Sequence, residues 1–134
     1  MTATPIRHGR CLCGAVELIV TGPMREVVAC HCKQCRQWTG YYWGATACPD
    51  DSLAVTKGED RIVWYRSSET ARRAFCGACG SHLFWKMDGT SQISMSPGLF
   101  EDPTGFGIGR HIFCADKGDY YELPEDAEQV AKYT

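Results

Sequence analysis

Seven of the nine cysteines in this 134-residue chain fall into three tight clusters, and that grouping restricts how the chain can fold. Cys11-Leu12-Cys13 is a C-x-C pair, and Cys76-Gly77-Ala78-Cys79 is a C-x-x-C pair. Between them, Cys30-His31-Cys32-Lys33-Gln34-Cys35 supplies three thiols at C-x-C-x-x-C spacing. Two pairs together bring four sulfurs, the number that closes a tetrahedral zinc site. Three thiols leave one corner of the tetrahedron free, and a free corner is where a bound metal does chemistry. The spacing predicts one closed site and one open one.

Disulfides are the competing use of so many thiols. The first ten residues have no apolar core of the kind a secretory signal needs, so a cytoplasmic location is expected. Cytosolic thiols stay reduced, and an odd count of nine pairs badly. A net charge of -2 gives no reason to expect a nucleic-acid partner. The longest apolar stretch, near Leu18 to Val20, is far too short to span a bilayer, so no membrane partner is expected. The length suits a single domain, residues 1–134.

Short alternating runs separated by Gly, Pro and Asp predict a mainly β fold. Strands are expected at 15–21, 24–31, 41–47, 52–56, 62–66 and 70–75. A hairpin pairs 81–87 with 91–96 across Asp88-Gly89. A long loop follows over 97–109, then a late strand at 110–115. Two helical segments are expected, Cys32 to Thr39 ending at Gly40, and Pro124 to Tyr133.

For the closed site, an extended Cys11-Leu12-Cys13 would point both sulfurs to one side and turn Leu12 into the core. Cys76 to Gly80 reads as a knuckle whose glycines let backbone N–H groups approach the sulfurs. A redox-active dithiol is the rival reading, but it belongs to a βαβ setting that this pattern lacks. In the open site, Cys30 and Cys32 share a face while His31 projects to the other. Cys35 returns from the first turn of the next segment, where backbone dipoles and Lys33 and Arg36 favour thiolate. His82 is a candidate fourth ligand but flanks the closed pair, and Cys48 and Cys114 read as inert buried thiols.

The three clusters, with Gly14-Ala15-Val16, Thr39-Gly40, Val55-Thr56-Lys57-Gly58, Leu99-Phe100-Glu101-Asp102-Pro103 and His111-Ile112-Phe113, resemble the glutathione-dependent formaldehyde-activating enzyme family. That family also includes centromere protein V. The likeness covers about residues 10–123 and implies a β-tent fold of antiparallel sheets. It also implies two zincs per chain, a structural one at Cys11, Cys13, Cys76 and Cys79, and a labile one at Cys30, Cys32 and Cys35. The implied activity is that of a carbon–sulfur lyase joining a small thiol such as glutathione to formaldehyde or a related aldehyde. Relatives often carry a tryptophan after the late strand, where this chain has Asp119-Tyr120-Tyr121.

Lys33, Arg36, Trp38 and Arg73 are the candidate substrate contacts, the cations for carboxylates and the indole as a wall. The plainer reading makes the arginines solvated strand residues and the aromatics core. A zinc- or thiol-binding interaction module without turnover is the alternative function. A purely structural two-zinc domain is a third. His31 and Glu69 are the candidate general bases.

Overall fold

A computed structural model describes residues 4–133. Its ten strands form two sheets. The first, in the order β1-β2-β5, contains Ile6–Arg10 (β1), Glu17–Thr21 (β2) and Leu53–Lys57 (β5). The second contains Val27–Cys30 (β3), Trp43–Pro49 (β4), Ile62–Arg66 (β6), Ala71–Cys76 (β7), His82–Met87 (β8), Gln92–Met95 (β9) and Ile108–Ile112 (β10). Its order is β10-β3-β4-β9-β8-β7-β6. The mainly β architecture implied by the sequence is the one observed.

One helix of two turns, Lys33–Thr39 (α1), links β3 to β4. Cys32 caps its start, its sulfur accepting the backbone N–H of Cys35, and Gly40 ends it at φ 89°. A left-handed cap of this kind suits glycine, which has no Cβ to clash. No helix among the described residues is long and apolar enough to cross a membrane.

Period-2 burial explains the core. Val16, Leu18 and Val20 point inward from the small sheet and meet Ala74, Leu83, Phe84 and Met95 of the large one. A second, smaller core gathers Cys35, Trp43 and Ala45, with Cys30, Cys32, Trp38 and Trp85 packed against it.

Four expectations need correcting. Ile6–Arg10 is a strand the sequence pattern does not announce, because its order comes from pairing with β2 (Ile6 opposite Thr21, Arg10 opposite Glu17). The sheets are not wholly antiparallel: β10 runs parallel to β3, with Ile112 beside Cys30. Pro124 to Tyr133 is not a helix. Its backbone groups pair instead along the open edge of β10, as in His111 N–H to Glu128 O and Phe113 N–H to Lys132 O. An isolated helix of ten residues is marginal in water, and the sheet edge offers those groups better partners. Leu12 is the fourth. It is 84% exposed rather than in the core. Cys11 to Gly14 is a turn, closed by Gly14 N–H to Cys11 O with Gly14 at φ 78°.

Candidate metal centre

The closed cluster lies between the two sheets. Cys11 and Cys13 follow β1 of the small sheet; Cys76 ends β7 and Cys79 precedes β8 in the large one. Their four sulfurs lie within 4.8 Å of one another. Cys11 and Cys13 are 3.7 Å apart, and Cys13 and Cys76 are 4.0 Å apart. A tetrahedral ion with sulfur bonds of about 2.3 Å sets its sulfurs about 3.8 Å apart, whereas a disulfide needs about 2.05 Å. None of the nine cysteines is disulfide-bonded. The cluster has the dimensions of a metal cage, and four soft thiolates suit zinc.

The backbone around these sulfurs is arranged to carry negative charge. Val16 N–H donates to Cys11 Sγ at 3.3 Å, and the Ser81 hydroxyl lies 3.2 Å from Cys79 Sγ. That hydroxyl, followed by the Ser81 backbone N–H, holds the Cys79 thiol down to about 5. Leu12 N–H in turn bonds Ser81 Oγ at 2.9 Å, joining the two knuckles directly. Cys11 and Cys76 are buried in the main core, while Cys13 is exposed.

The second cluster is built from one short stretch. Strand β3 delivers Cys30, the N-cap of α1 delivers Cys32, and its first turn delivers the buried Cys35. The three sulfurs lie within 4.8 Å of one another, and no carboxylate or imidazole completes the group among the described residues. Three donors with a common focus fit a metal that keeps one position for something else. Before any metal binds, hydrogen bonds from the Cys30 and Cys35 thiols drive Cys32 to thiolate, down to about 2. The same sharing pushes Cys30 up.

Arg73 is the cation of this site. Although it lies on strand β7, it is only 5% exposed. Its Nε donates to Gln34 Oε1 at 2.9 Å and its Nη2 to Cys35 Sγ at 3.4 Å. The guanidinium lies 4.9 Å from the Trp38 ring centre and 5.9 Å from that of Trp43. Its Nη1 is the single buried side-chain nitrogen or oxygen without a hydrogen-bond partner among the described residues. Leaving a buried donor unpaired costs about 1–3 kcal/mol.

The other proposed contacts are placed differently. Lys33 is exposed on the first turn of α1. Arg36 donates to two backbone carbonyls, His31 O at 3.3 Å and Asp116 O at 2.8 Å, so it ties α1 to the segment after β10. Trp38 is half-buried, edge-on to Trp43 at 5.1 Å and tilted on His82 at 4.4 Å. His82 is thus a packing residue and joins neither sulfur cluster. Cys48 is buried, and burial pushes its thiol up to about 11. Cys114 is half-buried in the turn after β10.

His31 is fully buried and turned away from the sulfurs. Its Nδ1 lies 2.7 Å from the Tyr121 hydroxyl and its Nε2 2.8 Å from His111 Nδ1. Burial, then the neighbouring His111, lowers it to about 4. Glu69 is exposed in the turn between β6 and β7. Sequence reasoning missed this imidazole–phenol network because the parallel β10–β3 pairing, invisible locally, brings His111 to His31. The one local sign in the sequence is Ala71, two positions earlier, which shares the face of β7 on which Arg73 is buried.

A cleft of about 780 Å³ runs past the closed cluster, lined in part by Arg10, Cys11, Ser81, His82 and Ser96. None of the trio's sulfurs lines it. Of its lining residues, Ser96 accepts Trp43 Nε1–H on its Oγ at 2.9 Å, and His82 packs against Trp38. The cleft and the trio are therefore separate, and Trp38 and Trp43, which pack against the trio, touch two of the cleft's lining residues.

The sequence profile of the glutathione-dependent formaldehyde-activating enzymes matches residues 6–116, a span that holds all three cysteine clusters. The chain belongs to that family. A Schizosaccharomyces pombe protein described as an uncharacterized lyase is 29% identical over 120 residues, covering 89% of this chain and 86% of its own. A crystal structure of a Rhodobacter sphaeroides protein shares the fold with a TM-score of 0.61 at 24% identity, covering 71% of this chain and 88% of that one. This formaldehyde-activating-type chain thus combines a lyase-type family with two sulfur groups able to hold metal.

Proposed function

We propose that this chain is a zinc-dependent carbon–sulfur lyase that joins a small thiol, glutathione or a similar peptide, to formaldehyde or a related small aldehyde. The observation that carries the reading is the trio of Cys30, Cys32 and Cys35, three converging sulfurs with no fourth protein donor among the described residues. A zinc ion held there would stabilise a thiol substrate as its thiolate near neutral pH. Around that position the protein orients and shields. Cys35 is fixed by Arg73, and Trp38 and Trp43 exclude water from one side. Lys33, exposed at the start of α1, is available to a substrate carboxylate. Cys11, Cys13, Cys76 and Cys79 would hold the structural zinc, which would tie the two sheets together.

The reaction of thiolate with aldehyde needs little proton traffic, since the proton released by the thiol equals the one the product oxygen takes up. That suits a site in which both nitrogens of His31 are engaged elsewhere and Glu69 is exposed. The same observation favours a second reading, a thiol-responsive zinc module that binds without turnover. One experiment separates them: NMR exchange spectroscopy on glutathione and formaldehyde, with and without metal-loaded protein. Faster adduct formation and breakdown supports the lyase. Thiol binding with an unchanged rate would leave only the module.

A further inference from the structure

Arg73 reaches the trio with one arm unused. Its Nε is anchored by Gln34, and Gln34 Nε2–H is itself fixed to Ser67 O at 2.9 Å. Its Nη2 is on Cys35 Sγ, but Nη1 meets no acceptor among the described residues. Charge compensation of three sulfurs would require only the cation. A planar fork aimed by a relay of two hydrogen bonds, with one prong empty beside the reactive sulfurs, is the form that recognises a substrate oxygen.

We propose that Arg73 Nη1 is the oxygen-binding donor of the trio, and that in the thiol–aldehyde reaction it receives the carbonyl oxygen. The proposal rests on that reading of the site. The sulfur lone pair of the substrate thiolate forms the C–S bond, and the carbonyl π pair moves onto oxygen. The resulting alkoxide is held by Nη1–H until it takes up a proton from water, replacing the one the thiol released. Pre-aimed donors of this kind stabilise the charge where it develops, at no reorganisation cost. Trp38, half-buried on the last turn of α1, lies over the guanidinium, so the proposal requires that ring to turn aside and admit an acceptor to the buried Nη1.

The test compares wild type with Arg73→Lys and Gln34→Ala. Metal content is measured by mass spectrometry, kcat and KM by NMR, and binding of formate, a carbonyl-oxygen mimic, from the Arg73 Nε–H and Trp38 indole signals. Arg73→Lys keeps the charge and loses the fork. We expect kcat to fall by roughly 10²-fold, as for loss of one oxyanion donor, with KM for the thiol and metal content near wild type. Gln34→Ala mis-aims the fork and is expected to cost about tenfold or more in kcat at full metal content. It decides the matter should Arg73→Lys fail to fold. Formate should move the Arg73 Nε–H and Trp38 signals in wild type. Unchanged kcat in either folded, metal-replete variant would overturn the role of Arg73 and leave the lyase reading intact. A wild type that shifts with formate yet shows no turnover would end the lyase reading and keep the oxygen site. Formate that leaves Arg73 Nε–H unmoved overturns the site itself.

Discussion

The two sulfur groups should differ sharply in what they contribute to stability, and Cys76→Ser against Cys32→Ser measures the difference. Cys13 and Cys76 are 63 residues apart, so a metal across the closed cluster constrains a long stretch of unfolded chain. Cys30 and Cys35 are only five positions apart in the sequence. The loop-closure contributions differ by (3/2)RT times the logarithm of that ratio, about 2 kcal/mol. Cys76 is also fully buried in the main core, where a serine hydroxyl without a partner costs about 1–3 kcal/mol more. Cys32 is only half-buried at the head of α1. Together these place Cys76→Ser about 3–5 kcal/mol below Cys32→Ser, a gap of roughly 10–20 °C in melting temperature for a chain this size. Circular-dichroism melts of both variants, metal-loaded and after chelation, provide the assay. Chelation should shrink the gap to the hydroxyl contribution alone. Equal melting of the two loaded variants, or a gap untouched by chelation, would refute the cross-link argument.

Other positions offer independent checks. Gly58→Ala should destabilise by at least about 2 kcal/mol in urea denaturation, because Gly58 sits at φ 76° and an added Cβ would lie 1.8 Å from Ala15 O; an unchanged midpoint would contradict the packing of that turn against the knuckle. Tyr121→Phe removes the hydroxyl that meets His31 Nδ1 and accepts Gly118 N–H, and should cost about 1–3 kcal/mol, while metal content stays at the wild-type value. Stepwise chelation should remove one equivalent of metal from the trio first, with little change in the far-ultraviolet spectrum; simultaneous loss of both equivalents, or unfolding with the first, would count against two separate jobs.

Some of this was legible because it is local. Six residues from Cys30 to Cys35 fix their own sulfurs' meeting point, and the end of α1 at Gly40 follows from glycine's freedom at a left-handed cap. The hydrophobic alternation of Val16, Leu18 and Val20 likewise announces which face of β2 is buried. The failures are equally physical. Reading Cys11-Leu12-Cys13 as extended neglects Gly14, whose positive φ turns the chain and sends Leu12 outward. The segment after Pro124 has no strand pattern of its own and takes its order from the edge of β10. Arg73 could be named as a candidate cation from the sequence, but its partner could not, because only the approach of α1, 38 residues away, brings Cys35 to it.

That partnership also makes the two sulfur groups less independent than their spacing suggests. Strand β7 carries Arg73 and, three residues on, Cys76. At about 3.4 Å per residue, some 10 Å of paired strand joins the closed cluster to the guanidinium beside the trio. β7 is hydrogen-bonded on both sides, by β6 and β8, so it cannot shift without breaking two ladders. Whatever holds Cys76 therefore sets the height at which Arg73 meets Cys35, and Gln34 sets its angle. A metal in the closed cluster would thus do more than join the two sheets, because it would fix the far end of the strand that aims the buried cation beside the trio. A metal lost from the outer pairs would be felt at the trio first as a loosened Arg73, before the fold itself gives way.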